Sequence, residues 1–312
     1  MILNLLGLII GFVLLIKGAD WLVDGAVSIA LGLGISKIVV GLSVVAFGTS
    51  LPELVASLVS VVKGHSSVSI SNVVGSNIAN IAIALALAAL ISNIKIEKNT
   101  SMVEIPFMII STVVFTVLFL REKILMWNYG VVFVSLLIIY LYYLIKSDKE
   151  MVEKEFESEA KVYKTNIAFL LVGVGVLGIW LGGELTIDNV VKIAKYFHLS
   201  ETFVGLTIVA IGTSLPEIVV SLISTLKKEQ DILVGNIVGS NIFNILFILG
   251  ISSLVGTLGI DVKSFTLDLI IMNLLSILLF LFAIFRKKIG KLEGIVFLTI
   301  YIIYIYQIIL RK

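Results

Sequence analysis

GLSVVAFGTSLPELVASLVS, residues 41–60, returns as GLTIVAIGTSLPEIVVSLIS at 205–224, an offset of 164 with no gap. Each copy sets Gly-Thr-Ser-Leu-Pro-Glu inside a long apolar segment, where a helix wants neither the proline nor the acid. Pro52 and Pro216 each remove a backbone donor and push away the carbonyl four residues earlier, that of Gly48 or Gly212. In lipid a freed carbonyl is costly and is tolerated only where a polar cavity or an ion satisfies it. Glu53 follows about 22 Å into its segment, at 1.5 Å per residue, and is its only charge; Glu217 matches it. A carboxylate at such depth costs at least ~2.5 kcal/mol and faces a protein interior and a partner.

The segments are membrane spans because the whole chain is of that kind. Of 312 residues 59% are hydrophobic and 14% charged, outside the soluble range. Apolar stretches near 2–26, 38–62, 68–92, 103–120, 125–145, 166–190, 202–226, 232–256, 266–285 and 292–310 are each able to cross a bilayer. The fold expected is an all-α membrane protein of ten transmembrane helices. The first stretch lacks a basic start and a small-residue cleavage pattern, and reads as a retained span. There is no cysteine, hence no disulfide or thiolate site, and a net charge of +2 speaks against a nucleic-acid partner. With the N-terminus outside, fourteen Lys and Arg fall on the inner side and eight on the outer. That bias favours a multi-pass cell-membrane protein with its central linker in the cytoplasm.

The offset of 164 runs further than the proline motif. NVVGSNIAN (72–80) meets NIVGSNIFN (236–244), GADWLVDG (18–25) meets GGELTIDN (182–189), and Gly130 meets Gly294. The chain is a duplication: a five-helix repeat at 1–146, a charged linker at 147–165, and a second repeat at 166–312. An odd number of spans per repeat inserts the second half from the opposite side, so the repeats have inverted topology. Inverted repeats with interrupted helices belong to secondary transporters, whose sites lie near the midplane.

Thr49, Glu53 and Ser57 step by four, as do Asn72, Ser76 and Asn80. Thr213, Glu217, Ser221 and Asn236, Ser240, Asn244 repeat the pattern, giving each span a polar stripe. Two carboxylates with hydroxyls, amides and freed carbonyls make a hard-oxygen site for Ca²⁺ or Na⁺. One Ca²⁺ or two Na⁺ neutralise the glutamate pair, so the ions compete, and competition with alternating access gives antiport. Blander roles stand beside these. The glutamates could be protonated and hydrogen-bonded. Ser76 and Ser240 with Gly75 and Gly239 could serve close helix contact, and Thr49, Ser50, Thr213 and Ser214 could cap the broken helix. Asn80 and Asn244 could be interhelical glue, a role that suits Asn72, Asn77, Asn236 and Asn241 better still. Asp20, Asp24, Glu184 and Asp188 read as interfacial.

With GTSLPE twice and GSN-I-x-N twice, the sequence resembles the cation/Ca²⁺ exchanger superfamily, in its prokaryotic Na⁺/Ca²⁺ branch. The resemblance covers essentially the full chain. It implies Glu53 and Glu217 as central Ca²⁺ ligands beside the backbone carbonyls of Thr49 and Thr213. It implies Ser76, Ser240, Ser50 and Ser214 at flanking Na⁺ sites, helped by the carbonyls of Ala46 and Ala210, with Asn80 and Asn244 lining the middle. Three Na⁺ for one Ca²⁺, an electrogenic exchange, is the family's usual cycle. Asn rather than Asp at 244 speaks against a K⁺ requirement. The expected function is therefore a Na⁺/Ca²⁺ antiporter, K⁺-independent, monomeric, embedded in the bilayer and without a cofactor. A Ca²⁺/H⁺ antiporter and a cation channel are the alternatives. An enzyme is not expected, since no HExxH, nucleophile–base pair or phosphate loop accompanies the glutamates.

Overall fold

The computed structural model describes residues 2–148, 163–196 and 212–310. Most of the expected linker, residues 202–211 of the seventh expected span, and with them Ala210, lie outside the described residues. Helices make up almost all of what is described, as they must where lipid offers the backbone no partner.

Helix α1 is Ile2–Leu33. The next span is assembled from α2 (Lys37–Val40), a π-helical turn Gly41–Val45, α3 (Ala46–Thr49) and α4 (Leu51–Val62). Helix α5 (Ser66–Ala79) runs through a π turn, Asn80–Leu85, into α6 (Ala86–Ile91). A π turn Thr100–Glu104 opens α7 (Ile105–Glu122), followed by α8 (Trp127–Asp148), α9 (Thr165–Tyr196) and α10 (Leu215–Leu226). Helix α11 (Gln230–Phe243), a π turn Asn244–Ile248 and α12 (Leu249–Val255) form one span, and α13 (Val262–Arg286) and α14 (Lys291–Leu310) complete the chain. Four two-residue strands, β1 (Ile94–Lys95), β2 (Ile124–Leu125), β3 (Leu258–Gly259) and β4 (Lys288–Ile289), lie between helices.

Among the described residues 8 helices are long and apolar enough to cross a membrane, and the bent pair Lys37–Thr49 and Leu51–Val62 makes up to 9. Helix α1 runs past the expected end at residue 26. Residues 27–33 are mostly apolar and hold no proline, Ser28 returns its hydroxyl to the Asp24 carbonyl within the helix, and the stop comes at Gly34, whose φ of +64° is the left-handed turn that ends a helix cheaply. The chain's 3 prolines each stand in the first turn of a helix, at Pro52 of α4, Pro106 of α7 and Pro216 of α10. There the missing N–H has no partner to lose.

Two compact units are formed, Met1–Thr49 with Asp148–Asn236, and Ser50–Ser147 with Ile237–Lys312. In the first, α1 lies along α9, with α10 beside both. Glycines set that approach: a Cβ on Gly18 would stand 2.7 Å from the Ile179 nitrogen and 2.8 Å from the Gly175 carbonyl oxygen, and one on Gly182 2.8 Å from the Gly11 carbonyl oxygen. Leu15, Leu22, Val27, Ala168 and Ile179 fill the apolar core around the contact.

In the second unit α5 packs on α4 and α13, α7 on α13, and α14 on α6 and its preceding π turn. Strand β1 pairs antiparallel with β4, Ile94 opposite Ile289, and β2 with β3, Leu125 opposite Leu258. Adding 164 to one member and subtracting it from the other turns either pairing into its counterpart. The glycine contacts behave alike: Gly130 abuts the Gly250 carbonyl oxygen and Gly294 that of Ala86.

Candidate functional site

The break in the second span falls at Ser50, whose φ of −85° and ψ of 3° leave the helical path, and the axis bends by 43°. Leu51-Pro52 then starts α4 afresh. Ser214, with φ −88° and ψ 6°, precedes Leu215-Pro216 at the start of α10 in the same way. The restart puts Glu53 and Glu217 in the first turn of a helix, where the unsatisfied N–H groups carry partial positive charge and favour a carboxylate. Both glutamates are fully buried, at 0% exposure.

Around Glu53, in the second unit, Ser76 on α5 donates to its Oε1 at 3.5 Å. Asn72 on the same helix donates to the Glu53 backbone oxygen at 3.2 Å and to Ser57 Oγ at 3.1 Å, fixing α5 against α4. A Cβ on Gly75 would meet nothing within 4 Å, so this glycine does not mediate close helix contact. Two spans further along, Asn80 and Asn244 each open a π turn, at positions 164 apart. Inserting a residue into the helical ladder loosens its backbone bonding, and such turns recur at functional sites. Both asparagines are fully buried, as are Ser50, Ser76 and Ser240.

In the first unit, Thr49 donates from Oγ1 to Asn236 Oδ1 at 3.0 Å and lies 3.3 Å from the carbonyl oxygen of Ala46. Asn236 reaches Ser221 Oγ at 3.5 Å, as Asn72 reaches Ser57 in the other unit. Thr49, Ala46 and Ser214 are buried, and Thr213 is half-buried in the turn before α10. Ser214 Oγ has no hydrogen-bond partner among the described residues.

The polar set is thus almost all oxygen. No cluster of three or more His, Cys, Asp or Glu is present among the described residues; the polar groups beside each glutamate are hydroxyls, amides and backbone carbonyls. That donor chemistry fits hard ions such as Ca²⁺. Of the acids read as interfacial, Glu184 and Asp188 are exposed, while Asp20 and Asp24 are half-buried and engaged by Lys227 at 2.7 and 2.5 Å. Lys37 pairs with Glu229 at 2.8 Å in the same unit.

Two asparagines that read as packing residues take a larger part than the sequence discloses. Asn241 Oδ1 accepts from Asn80 at 3.0 Å, and Asn77 Oδ1 accepts from Asn244 at 2.9 Å. The signal that could have found them is the shared spacing, an Asn three residues before Asn80 and another three before Asn244, at the same offset of 164.

A multi-span helical protein with a broken helix and a buried first-turn carboxylate has the features of a membrane transporter. The chain belongs to the sodium/calcium exchanger protein family, whose model matches residues 3–146 and 167–310. It is 35% identical over 298 residues to an uncharacterized membrane protein of Methanocaldococcus jannaschii, covering 95% of this chain and 94% of that one. It is 32% identical over 341 residues to the sodium/calcium exchanger MaX1 of Methanosarcina acetivorans, covering 97% of each. A solved structure of the sodium–calcium exchanger NCX_Mj, soaked with 10 mM Na⁺ and no Ca²⁺, matches with a TM-score of 0.83 at 35% identity over 98% of both chains.

Proposed function

We propose that this chain is a Na⁺/Ca²⁺ antiporter working by alternating access, built as ten spans in two inverted repeats of five (1–146 and 166–312) joined by a cytoplasmic linker. Full-length membership in the exchanger family supports the ion pair, and MaX1 and NCX_Mj both carry that activity in their names. The observation that carries the reading is the buried glutamate in the first turn of a proline-restarted helix, present at both 53 and 217.

Glu53 and Glu217 supply the charge that one Ca²⁺ or two Na⁺ balance. Thr49 and Thr213 add carbonyl oxygens, Ser50, Ser76, Ser214 and Ser240 with the carbonyls of Ala46 and Ala210 serve Na⁺, and Asn80 and Asn244 line the middle. An empty carboxylate pair is costly to move across a low-dielectric barrier, which couples the two ions. Three Na⁺ per Ca²⁺ moves one net charge, and the cycle then responds to membrane potential at about 2.3 kcal/mol per 100 mV. With Asn at 244 the cycle needs no K⁺, and a monomer suffices.

The deciding experiment is uptake of radioactive Ca²⁺ into proteoliposomes loaded with Na⁺, compared with vesicles loaded with K⁺ or holding only a pH gradient. Uptake that requires internal Na⁺ is expected. Uptake driven by the pH gradient alone assigns proton coupling instead, and uptake without any counter-gradient assigns a channel.

A further inference from the structure

Asn77, Asn80, Asn241 and Asn244 form a crossed set within the second unit, all 0–1% exposed. Each of the outer pair receives a hydrogen bond from the asparagine that opens the other π turn: Asn80 Nδ2 to Asn241 Oδ1, Asn244 Nδ2 to Asn77 Oδ1. A side-chain amide has an oxygen end and a nitrogen end of nearly equal shape, so what fixes its direction is the chemistry of its neighbours.

For Asn77 that direction is forced. Its Nδ2 lies 3.3 Å from the Asn241 backbone carbonyl oxygen and 3.9 Å from the Met272 sulfur. Both neighbours only accept, so turning the amide over would set oxygen against oxygen and oxygen against sulfur. Asn77 Oδ1 must therefore face Asn244, which can meet it only with its nitrogen. Asn241 is anchored alike, with Nδ2 at 3.6 Å from the Met108 sulfur, and obliges Asn80 to present its nitrogen.

The consequence falls on the far ends. Asn80 Oδ1 and Asn244 Oδ1 are buried and have no hydrogen-bond partner among the described residues. A buried acceptor left unmade is unfavourable, and the bonds within the crossed set run from nitrogen to Asn77 and Asn241, not to these two oxygens. They are two neutral oxygen ligands held ready for a cation.

We propose that Asn77 and Asn241 are positioning residues for ion exchange: each locks the amide of its partner, Asn244 or Asn80, with the oxygen turned to the ion. The inference rests on the reading of Asn80 and Asn244 as ion-lining residues.

The test is a pair of double-mutant cycles read by Na⁺-driven Ca²⁺ uptake in proteoliposomes, with the apparent KM for Ca²⁺ and the maximum rate measured separately. One cycle is N77A, N244A and N77A/N244A; the other is N241A, N80A and N241A/N80A. Each single variant is expected to raise KM about tenfold, the scale of one buried hydrogen bond. If Asn77 acts through Asn244, N77A adds nothing in the N244A background, a non-additivity that a merely structural role does not produce. Unchanged KM in N80A and N244A overturns the ion-lining reading itself. Raised KM in those two with unchanged KM in N77A and N241A, or additive effects in the doubles, overturns the positioning role and leaves the site standing. Should N77A not be recovered folded, the cycle on Asn241 and Asn80 decides by the same criteria.

Discussion

The Lys227 ammonium lies 2.7 Å from the Asp20 carboxylate, joining the turn after α10 to the second half of α1. The same ammonium reaches Asp24 at 2.5 Å and the Asp20 carbonyl oxygen at 3.0 Å. Burial alone would lower the Lys227 pKa, but the hydrogen bonds and attraction from the two aspartates overcome it, and the net shift is upward. A lysine whose folded pKa is raised contributes stability that is complete below its ordinary value of 10.5 and is lost as pH climbs through the raised folded value. Lys227→Met should cost about 1 kcal/mol at neutral pH, the partners being partly solvated. Thermal melts in detergent at neutral and strongly alkaline pH check this: the gap between wild type and variant closes on the alkaline side.

Glu53→Gln and Glu217→Gln preserve shape and remove charge. Each should abolish Na⁺-dependent Ca²⁺ uptake while the purified protein remains monodisperse on size exclusion with an unchanged melting temperature. Retained exchange in either variant removes that glutamate from the site.

The contact between α1 and α9 admits no side chain at Gly18, where a Cβ would sit 2.7 Å from a backbone nitrogen. Gly18→Val should destabilise the protein by about 1–3 kcal/mol, the range for overpacking against a rigid neighbour. Gly173→Ala is the control, since a Cβ there meets nothing within 4 Å, and its melting temperature should match wild type or exceed it.

Lys123 ends α7 in the left-handed region at φ +62°, and Lys287 ends α13 at φ +54°, 164 residues on. Only glycine adopts that conformation without a steric penalty. Lys123→Gly should raise stability by about 0.5 kcal/mol, the relief being partly offset by the entropy glycine gains on unfolding. A shift of the thermal midpoint upward, additive with Lys287→Gly, is the expected reading.

The two GTSLPE segments carried most of what could be known in advance. Proline dictates where a helix restarts, and the acid that follows it within two residues falls in the new first turn; both are local effects, written within a few residues. The stripe of Asn72, Ser76 and Asn80 was legible for the same reason, since period alone aligns it. What the sequence did not disclose is long-range. The direction of the Asn80 amide depends on Asn241, 161 residues away, and that of Asn241 on the Met108 sulfur. The π turns at Asn80 and Asn244 leave no local mark, since their residues are ordinary helix formers. Helix α1 runs seven residues past the expected end at 26, and its acids Asp20 and Asp24, which read as interfacial, pair there with Lys227 from a distant segment.

Strand Ile94–Lys95 joins Lys288–Ile289, Ile124–Leu125 joins Leu258–Gly259, Gly18 rests on Gly175, and Asn77 engages Asn244. Every one of these attachments links the first half of the chain to the second. A half-length chain would therefore carry surfaces equivalent to those it meets in the other half, because the strand pairings exchange places under the offset of 164. Expressed alone, either half is expected to assemble as a homodimer, which light scattering of the detergent-purified half would check.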